Sequence, residues 1–235
     1  MSILKGCIPS ELKLAKVVPI CKADCPSTYT NYRPVSVLPC FSKILETLMY
    51  DRLISFVIQN ELLYKYQFGF RKLHSTILAI ITLTDMVAKA LENGDHVIGV
   101  FLDFSKAFDT VDHDILFHKL EYLGIRGVAL DWLRDYLHSR YQFVMYDKTS
   151  SEKREVICGV PQGSVLGPLL FLLYVNDIAN VSSILFSILF ADDTNALAFG
   201  KDLNELIETV NTELQKLVTW LAANKLSLNI KNLTS

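Results

Sequence analysis

The stretch Ser183–Phe199, SILFSILFADDTNALAF, decides how this chain is read, because two apolar runs enclose the acidic pair Asp192-Asp193. Successive side chains of a strand point to opposite faces, so neighbouring aspartates serve one site only where the backbone turns. The pair therefore reads as the tip of a β-hairpin, with Ile184, Leu185, Ile188, Leu189, Leu197 and Phe199 burying its arms. Two carboxylates at the edge of an apolar core cost free energy unless a cation is bound there. The alternative is an ordinary solvated turn, and a metal site needs a third carboxylate from elsewhere.

Working outward, Val97–Leu102 (VIGVFL) is a continuous apolar run too short for an ordinary helix, and it predicts a strand buried on both faces that delivers Asp103 at its end. If that strand lies beside the hairpin, Asp103, Asp192 and Asp193 converge. Such a cluster would hold two divalent cations that align an attacking hydroxyl with a leaving phosphate oxygen. Hard oxygen donors favour magnesium. The histidines, His74, His96, His113, His118 and His138, show no paired ligand spacing.

The rest of the chain predicts helices against an antiparallel sheet. A hairpin is expected from Ala15–Ile20 and Arg33–Leu38 around the polar loop 22–32. Helices are expected over Phe41–Ile58, with Phe41, Ile44 and Leu48 among its packing positions, and from the N-cap Ser75 to Asn93-Gly94. Further helices are expected over Asp112–Leu123 and Val128–Leu137, then an alternating strand Tyr141–Tyr146 and a returning strand to Cys158. Gly159-Val-Pro-Gln-Gly-Ser164 reads as a tight turn or a close backbone approach to a ligand, ahead of a helix begun by Pro168. Asp202 and Glu205 form a capping box for a last helix with Leu203, Leu206, Ile207, Val210, Leu214, Leu217 and Leu221 inward.

At 235 residues and 51% hydrophobic content the chain can bury a sizeable core, which excludes a disordered class. No apolar run reaches a membrane span, so no membrane partner is expected, and the first residues carry no secretory signal. Five cysteines form no even framework, which favours a reducing compartment; a zinc site at Cys21 and Cys25 is the weaker reading. The net charge of −2 does not mark a protein that coats nucleic acid, although basic residues gather in the first third.

Phe101–Thr110 (FLDFSKAFDT), Gly159–Asp177 (GVPQGSVLGPLLFLLYVND) and Phe190–Thr194 (FADDT), in this order, resemble the motifs of reverse transcriptases. Asn31–Leu38 (NYRPVSVL), Gln67–Thr76 (QFGFRKLHST) and Trp220–Asn229 (WLAANKLSLN) resemble more narrowly the polymerase of non-LTR retrotransposons of the jockey and chicken-repeat type. The resemblance implies an α+β right-hand polymerase with fingers and palm, its antiparallel palm sheet packed on helices and the thumb absent. The fingers-like part would be 1–95 and the palm-like part 96–235, ending before the palm is complete, together one reverse transcriptase domain.

By the same resemblance, Asp103 and Asp192 would ligate two magnesium ions with Asp193 supporting. Phe104 and the backbone after Asp103 would touch the incoming triphosphate. Phe108 would be a steric gate against ribose, or else a core aromatic. Arg33 and Lys22 would grip the triphosphate, Gln162 would lie against the nascent pair, and Arg71 near the template. For Lys106 and Asp109, which share the first motif, local structure is the expected role. The family's lysine after the LSLN segment is matched only by Lys231, one position early.

The implied partners are an RNA template, a DNA primer and dNTPs, in the nucleus or cytoplasm. A catalytically inactive relic, or a domesticated fragment that binds nucleic acid or protein, is the alternative. A viral RNA polymerase or a nucleotidyl cyclase is the third reading; the bulk of Phe108 opposes the first of these and the fingers-like Gln67–Thr76 segment the second.

Overall fold

The computed structural model describes residues 2–21 and 31–229. In chain order the elements are α1 (Ser2–Lys5), β1 (Leu14–Cys21), β2 (Tyr32–Val37), α2 (Cys40–Gln59), α3 (Thr76–Glu92), β3 (His96–Asp103), α4 (His113–Tyr122), α5 (Val128–Leu137), β4 (Arg140–Tyr146), β5 (Thr149–Ser150), β6 (Arg154–Val156), α6 (Gly167–Val175), β7 (Phe186–Phe190), β8 (Asp193–Gly200) and α7 (Leu203–Ala223). They form two compact units, each built from two stretches of chain: 1–60 with 108–173, and 61–107 with 174–235.

In the first unit, β1 and β2 form the expected antiparallel hairpin, with Cys21 opposite Tyr32. β1 also pairs with β4 in parallel, Leu14 opposite Tyr141, and β6 returns antiparallel on β4, so this sheet is mixed rather than purely antiparallel. Helices α4 and α5 follow their predicted boundaries. Asp112 caps α4 by accepting from the Ile115 amide at 3.0 Å, and Leu116, Leu120, Trp132 and Leu133 are wholly buried. The Trp132 and Tyr136 rings stack with centroids 5.5 Å apart.

Helix α2 turns a different face inward from the one its apolar residues mark. Its buried stripe is Ser42, Glu46, Met49, Leu53 and Val57, whereas Phe41 is 73% exposed and Ile44 and Leu48 also lie outside. The fully buried Glu46 accepts from the Ser42 hydroxyl at 3.1 Å and from the Val165 amide at 2.7 Å. Two such donors repay the cost of burying a carboxylate. The helix thereby anchors the segment that leads into α6.

His113 carries a second buried polar bond in this unit, its Nε2–H donating to the Gly159 carbonyl at 2.8 Å. Burial, the largest cause, holds its pKa below the usual histidine value, and His138 lowers it further against the bond to Gly159 and the charges of Asp112 and Asp114. The unfolded imidazole titrates near about 6.5. The stability that neutral His113 contributes is therefore complete above that pH and lost as pH falls through the window below it. Thermal unfolding at pH 7.5 and 5.5 should show a smaller acid loss for His113→Gln than for the wild-type chain; equal losses would exclude His113 as the source.

In the second unit β3, β8 and β7 form an antiparallel sheet in that order. The β7–β8 hairpin pairs Phe190 with Asp193, leaving Ala191 and Asp192 as its turn. Helices α3 and α7 pack on this sheet. Ser75 caps α3 by accepting from Leu78 N at 3.3 Å, and Asp202 caps α7 by accepting from the amides of Asn204 and Glu205. Phe68, Ala79, Ile188 and Leu197 make a core cluster.

Strand β3 is not buried on both faces: Leu102 is buried, but Phe101 is 62% exposed. It lies at the edge of the ladder, and among the described residues its far side is met at the Asp103 end by the short segment Ser227–Asn229, through the Phe104–Leu228 bridge. In α7 the buried positions are Leu206, Val210, Glu213, Leu217 and Leu221, while Leu203 and Ile207 stay exposed. Here too the buried stripe is narrower than the apolar one.

Candidate active site

The acidic residues of the second unit meet through strand register. β3 runs antiparallel to β8 with Asp103 directly opposite Asp193. Residues opposite each other on antiparallel strands place their side chains on one face, about 5 Å apart at Cβ. Asp192 precedes Asp193 in the turn, so the turn proper is Ala191-Asp192, and Asp193 is already the first residue of β8. Ala191 takes φ of 58°, the left-handed geometry a two-residue hairpin needs at its first turn position.

The electrostatics record this crowding. Partial shielding from water, then the charges of Asp192 and Asp103, push the Asp193 carboxyl above its ordinary range. A cation would relieve that repulsion, and the donor set is all hard oxygen, which fits magnesium. The fit is not that of a finished cage. Among the described residues no three His, Cys, Asp or Glu side chains are arranged to hold a metal ion. Asp103 and Asp193 are paired by the sheet, and Asp192 adjoins them in the turn, its charge bearing on Asp193. Beside the pair lies an open cavity of about 290 Å³ lined by Thr76, Ala79, Phe101, Asp103, Asp193 and Asn195.

The turn is held from behind by a residue to which the sequence assigned no role. Gln67 is 1% exposed, and its Oε1 accepts from the backbone amides of Gly69 at 2.8 Å and Ala191 at 3.2 Å. Two amide donors converging on one atom identify that atom as the oxygen. The backbone seals the contact, with Phe68 N donating to Leu189 O and Leu189 N to Tyr66 O. Gly69 lies so close that a Cβ built on it would be 2.1 Å from Ala191 N. The only signal in the sequence was that this glutamine and glycine stand together in QFGF.

Other expected residues of this unit are placed as follows. Phe104 is 3% exposed, so its ring belongs to the interior. Arg71 sends Nη1 to the carbonyls of Tyr64 and Gln67, both at 3.1 Å, which makes it a staple of the Gln67 loop. Lys106 adopts φ of 51°.

In the first unit, Gln162 Nε2 donates to Asp109 Oδ1 at 2.8 Å, and the Gln162 carbonyl accepts from Ser36 N at 2.8 Å. The loop 159–164 is thus tied to the β1–β2 hairpin and to Asp109. Gly159, at φ of 86°, would place a Cβ 2.8 Å from the Asp109 carbonyl oxygen, so the close approach expected of this loop is made to protein backbone. A cavity of about 300 Å³ lies here, lined by Pro34, Ser36, Asp109, Arg140, Glu155 and Gln162 among others. Phe108 stacks on the buried Phe171 with centroids 4.5 Å apart, half-buried itself. Arg33 is exposed on β2 opposite Ile20. Lys22 and Lys231 lie outside the described residues, as do Cys25 and the loop 22–30. Cys21 is exposed at the end of β1.

The second unit thus sets acidic residues of a hairpin turn beside an acidic strand end on an antiparallel sheet backed by helices, an α+β arrangement. Solved structures share the fold. Apo telomerase from Candida tropicalis superposes with a TM-score of 0.67 over 95% of this chain and 44% of that one at 9% identity. Telomerase from Candida albicans in complex with a fragment of telomeric RNA gives 0.63 over 96% and 42% at 13% identity.

The family model for reverse transcriptase (RNA-dependent DNA polymerase) matches residues 20–232, and the chain belongs to that family. It is 30% identical over 223 residues to the RNA-directed DNA polymerase from mobile element jockey of Drosophila melanogaster, covering 92% of this chain. It is 32% identical over 227 residues to the probable RNA-directed DNA polymerase from transposon BS of the same species, covering 90%. The chain spans about a quarter of the length of these relatives, 24% of each.

Proposed function

We propose that this chain is the RNA-directed DNA polymerase portion of a non-LTR retrotransposon protein, extending a DNA primer on an RNA template with dNTPs. The observation that carries this reading is the register of Asp103 on Asp193 beside the Ala191-Asp192 turn. Asp103 and Asp192, with Asp193 supporting, would hold two magnesium ions, which when bound supply charge neutralisation on the triphosphate and a more acidic primer hydroxyl. The protein's own part is positioning. The primer 3′-hydroxyl loses its proton to water, its oxygen forms a bond to the α-phosphorus, the bond to the bridging oxygen breaks, and pyrophosphate leaves.

The remaining roles rest on the motif match. Arg33 and Lys22 would bind the triphosphate, Arg33 through a forked guanidinium and Lys22 as a point charge. The backbone at Phe104 would approach the nucleotide, Gln162 the nascent pair, and Arg71 the template side. Phe108 would exclude a ribose 2′-hydroxyl, and its stacking on Phe171 supports this by giving the ring a fixed wall to stand against.

Primer extension on an RNA template by the purified chain, with magnesium and either dNTPs or rNTPs, tests the reading. Incorporation of dNTPs but not rNTPs is expected, and Phe108→Val should raise rNTP use at least about tenfold, in line with the energy of a steric pocket. Failure to incorporate either nucleotide would favour a non-catalytic binding fragment. Unchanged discrimination in Phe108→Val would remove the gate and leave Phe108 as a core aromatic.

A further inference from the structure

The segment after α7 closes onto the end of β3. Asn224 caps the helix, and its carbonyl accepts from the buried Tyr174 hydroxyl at 2.6 Å. Lys225 then adopts φ of 51°, and Leu226 is buried. This directs Ser227–Asn229 antiparallel to Asp103–Ser105. Ser105 N donates to Ser227 O at 2.8 Å, Phe104 bridges Leu228, and Asn229 N donates to Asp103 O at 2.8 Å.

In this register Asn229 is opposite Asp103, and Asp103 is opposite Asp193. Asn229, Asp103 and Asp193 therefore form one row across the 227–229 segment, β3 and β8. Within the row, the Asn229 side-chain amide donates from Nδ2 to Asp103 Oδ2 at 3.0 Å. The backbone and the side chain of one residue thus grip the backbone and the carboxylate of the other.

We propose that Asn229 is a positioning residue for Asp103, fixing the plane of its carboxylate for a divalent cation. The inference rests on the metal-binding reading of Asp103 given above. An amide suits the task better than a basic side chain would. It orients one oxygen by a directed hydrogen bond yet brings no charge, so the carboxylate keeps the full negative charge that attracts a cation. Lysine or arginine there would compete with the metal. The reach is set by the strand register, so a shorter donor would miss Oδ2.

Mn²⁺ binding followed by electron paramagnetic resonance on the purified chain tests this without requiring turnover. The wild type, Asp103→Asn, Asn229→Leu and Asn229→Ser would be compared, with thermal unfolding in chelator as the control for folding. Asp103→Asn should lose the site. Asn229→Leu, of similar size without a donor, and Asn229→Ser, too short to reach, should each weaken Mn²⁺ binding by at least about tenfold, the low end for a residue that orients a metal ligand.

Wild-type affinity in either folded Asn229 variant, while Asp103→Asn has lost the site, would overturn the proposal alone. A lower melting temperature with unchanged Mn²⁺ affinity would assign Asn229 to structure only and overturn it equally. Wild-type binding by Asp103→Asn would overturn the metal reading, and this proposal with it.

Discussion

Asp192→Asn should lower dNTP incorporation on an RNA template by about a thousandfold or more, the scale expected when a preorganised charge is removed from a phosphoryl-transfer site. The substitution keeps size and shape at the second turn position of the β7–β8 hairpin and removes one charge. The folded chain should not suffer, because Asp192 is one of the two carboxylates that push the Asp193 carboxyl above its ordinary range, and removing it relieves repulsion. Primer extension across a magnesium titration, paired with thermal unfolding, reads both quantities. Activity within tenfold of wild type would place the chemistry elsewhere, and a marked fall in melting temperature would show that Asp192 serves the fold.

Gly69→Ala is the substitution expected to damage the fold most. The new Cβ would sit 2.1 Å from Ala191 N and 2.7 Å from Ala191 Cα, both backbone atoms with no rotamer to escape into. Either the loop 67–70 or the turn must move. Both are bound to the Gln67 side-chain oxygen, so either movement breaks that pair of bonds. Overpacking against backbone together with two lost buried hydrogen bonds should cost roughly 3 kcal/mol or more. For a chain of this size that corresponds to a melting temperature lower by about 6–12 °C. A melting temperature within about 2 °C of wild type would mean that the loop and turn separate easily. Gln67→Leu, which keeps the volume but leaves the amides of Gly69 and Ala191 without their acceptor, should fall between the two.

The local signals in the chain were legible. Cap residues Ser75 and Asp202 each accept the amide bonds their positions predict, and Gly94 follows α3 at φ of 71°. The paired apolar runs around Asp192-Asp193 fold as a hairpin, off by one residue at the tip, because Asp193 already pairs with Phe190. Burial was read less well. Phe41, Ile44 and Leu48 of α2, and Leu203 and Ile207 of α7, satisfy helical spacing but face outward, whereas Glu46 is wholly buried. Periodicity identifies an apolar face; which face is covered depends on what packs against it.

The acidic residues were nameable as candidates because their types and flanking runs are local facts. That Asp103 stands opposite Asp193, rather than Asp192, is a matter of register between strands far apart in sequence. A one-residue slip would have turned that side chain to the other face.

What the sequence by itself determined is therefore the set of elements, the family motifs and the carboxylates on offer, since these depend on propensities, caps and spacing within a few residues. The tertiary structure alone decided which carboxylates pair, that Gln67 holds the Ala191 amide, and that Asn229 grips Asp103. Each of these joins residues more than 80 positions apart. Hydrogen bonds of that kind arise only when strands are brought into a particular register, and no local pattern of side chains records it.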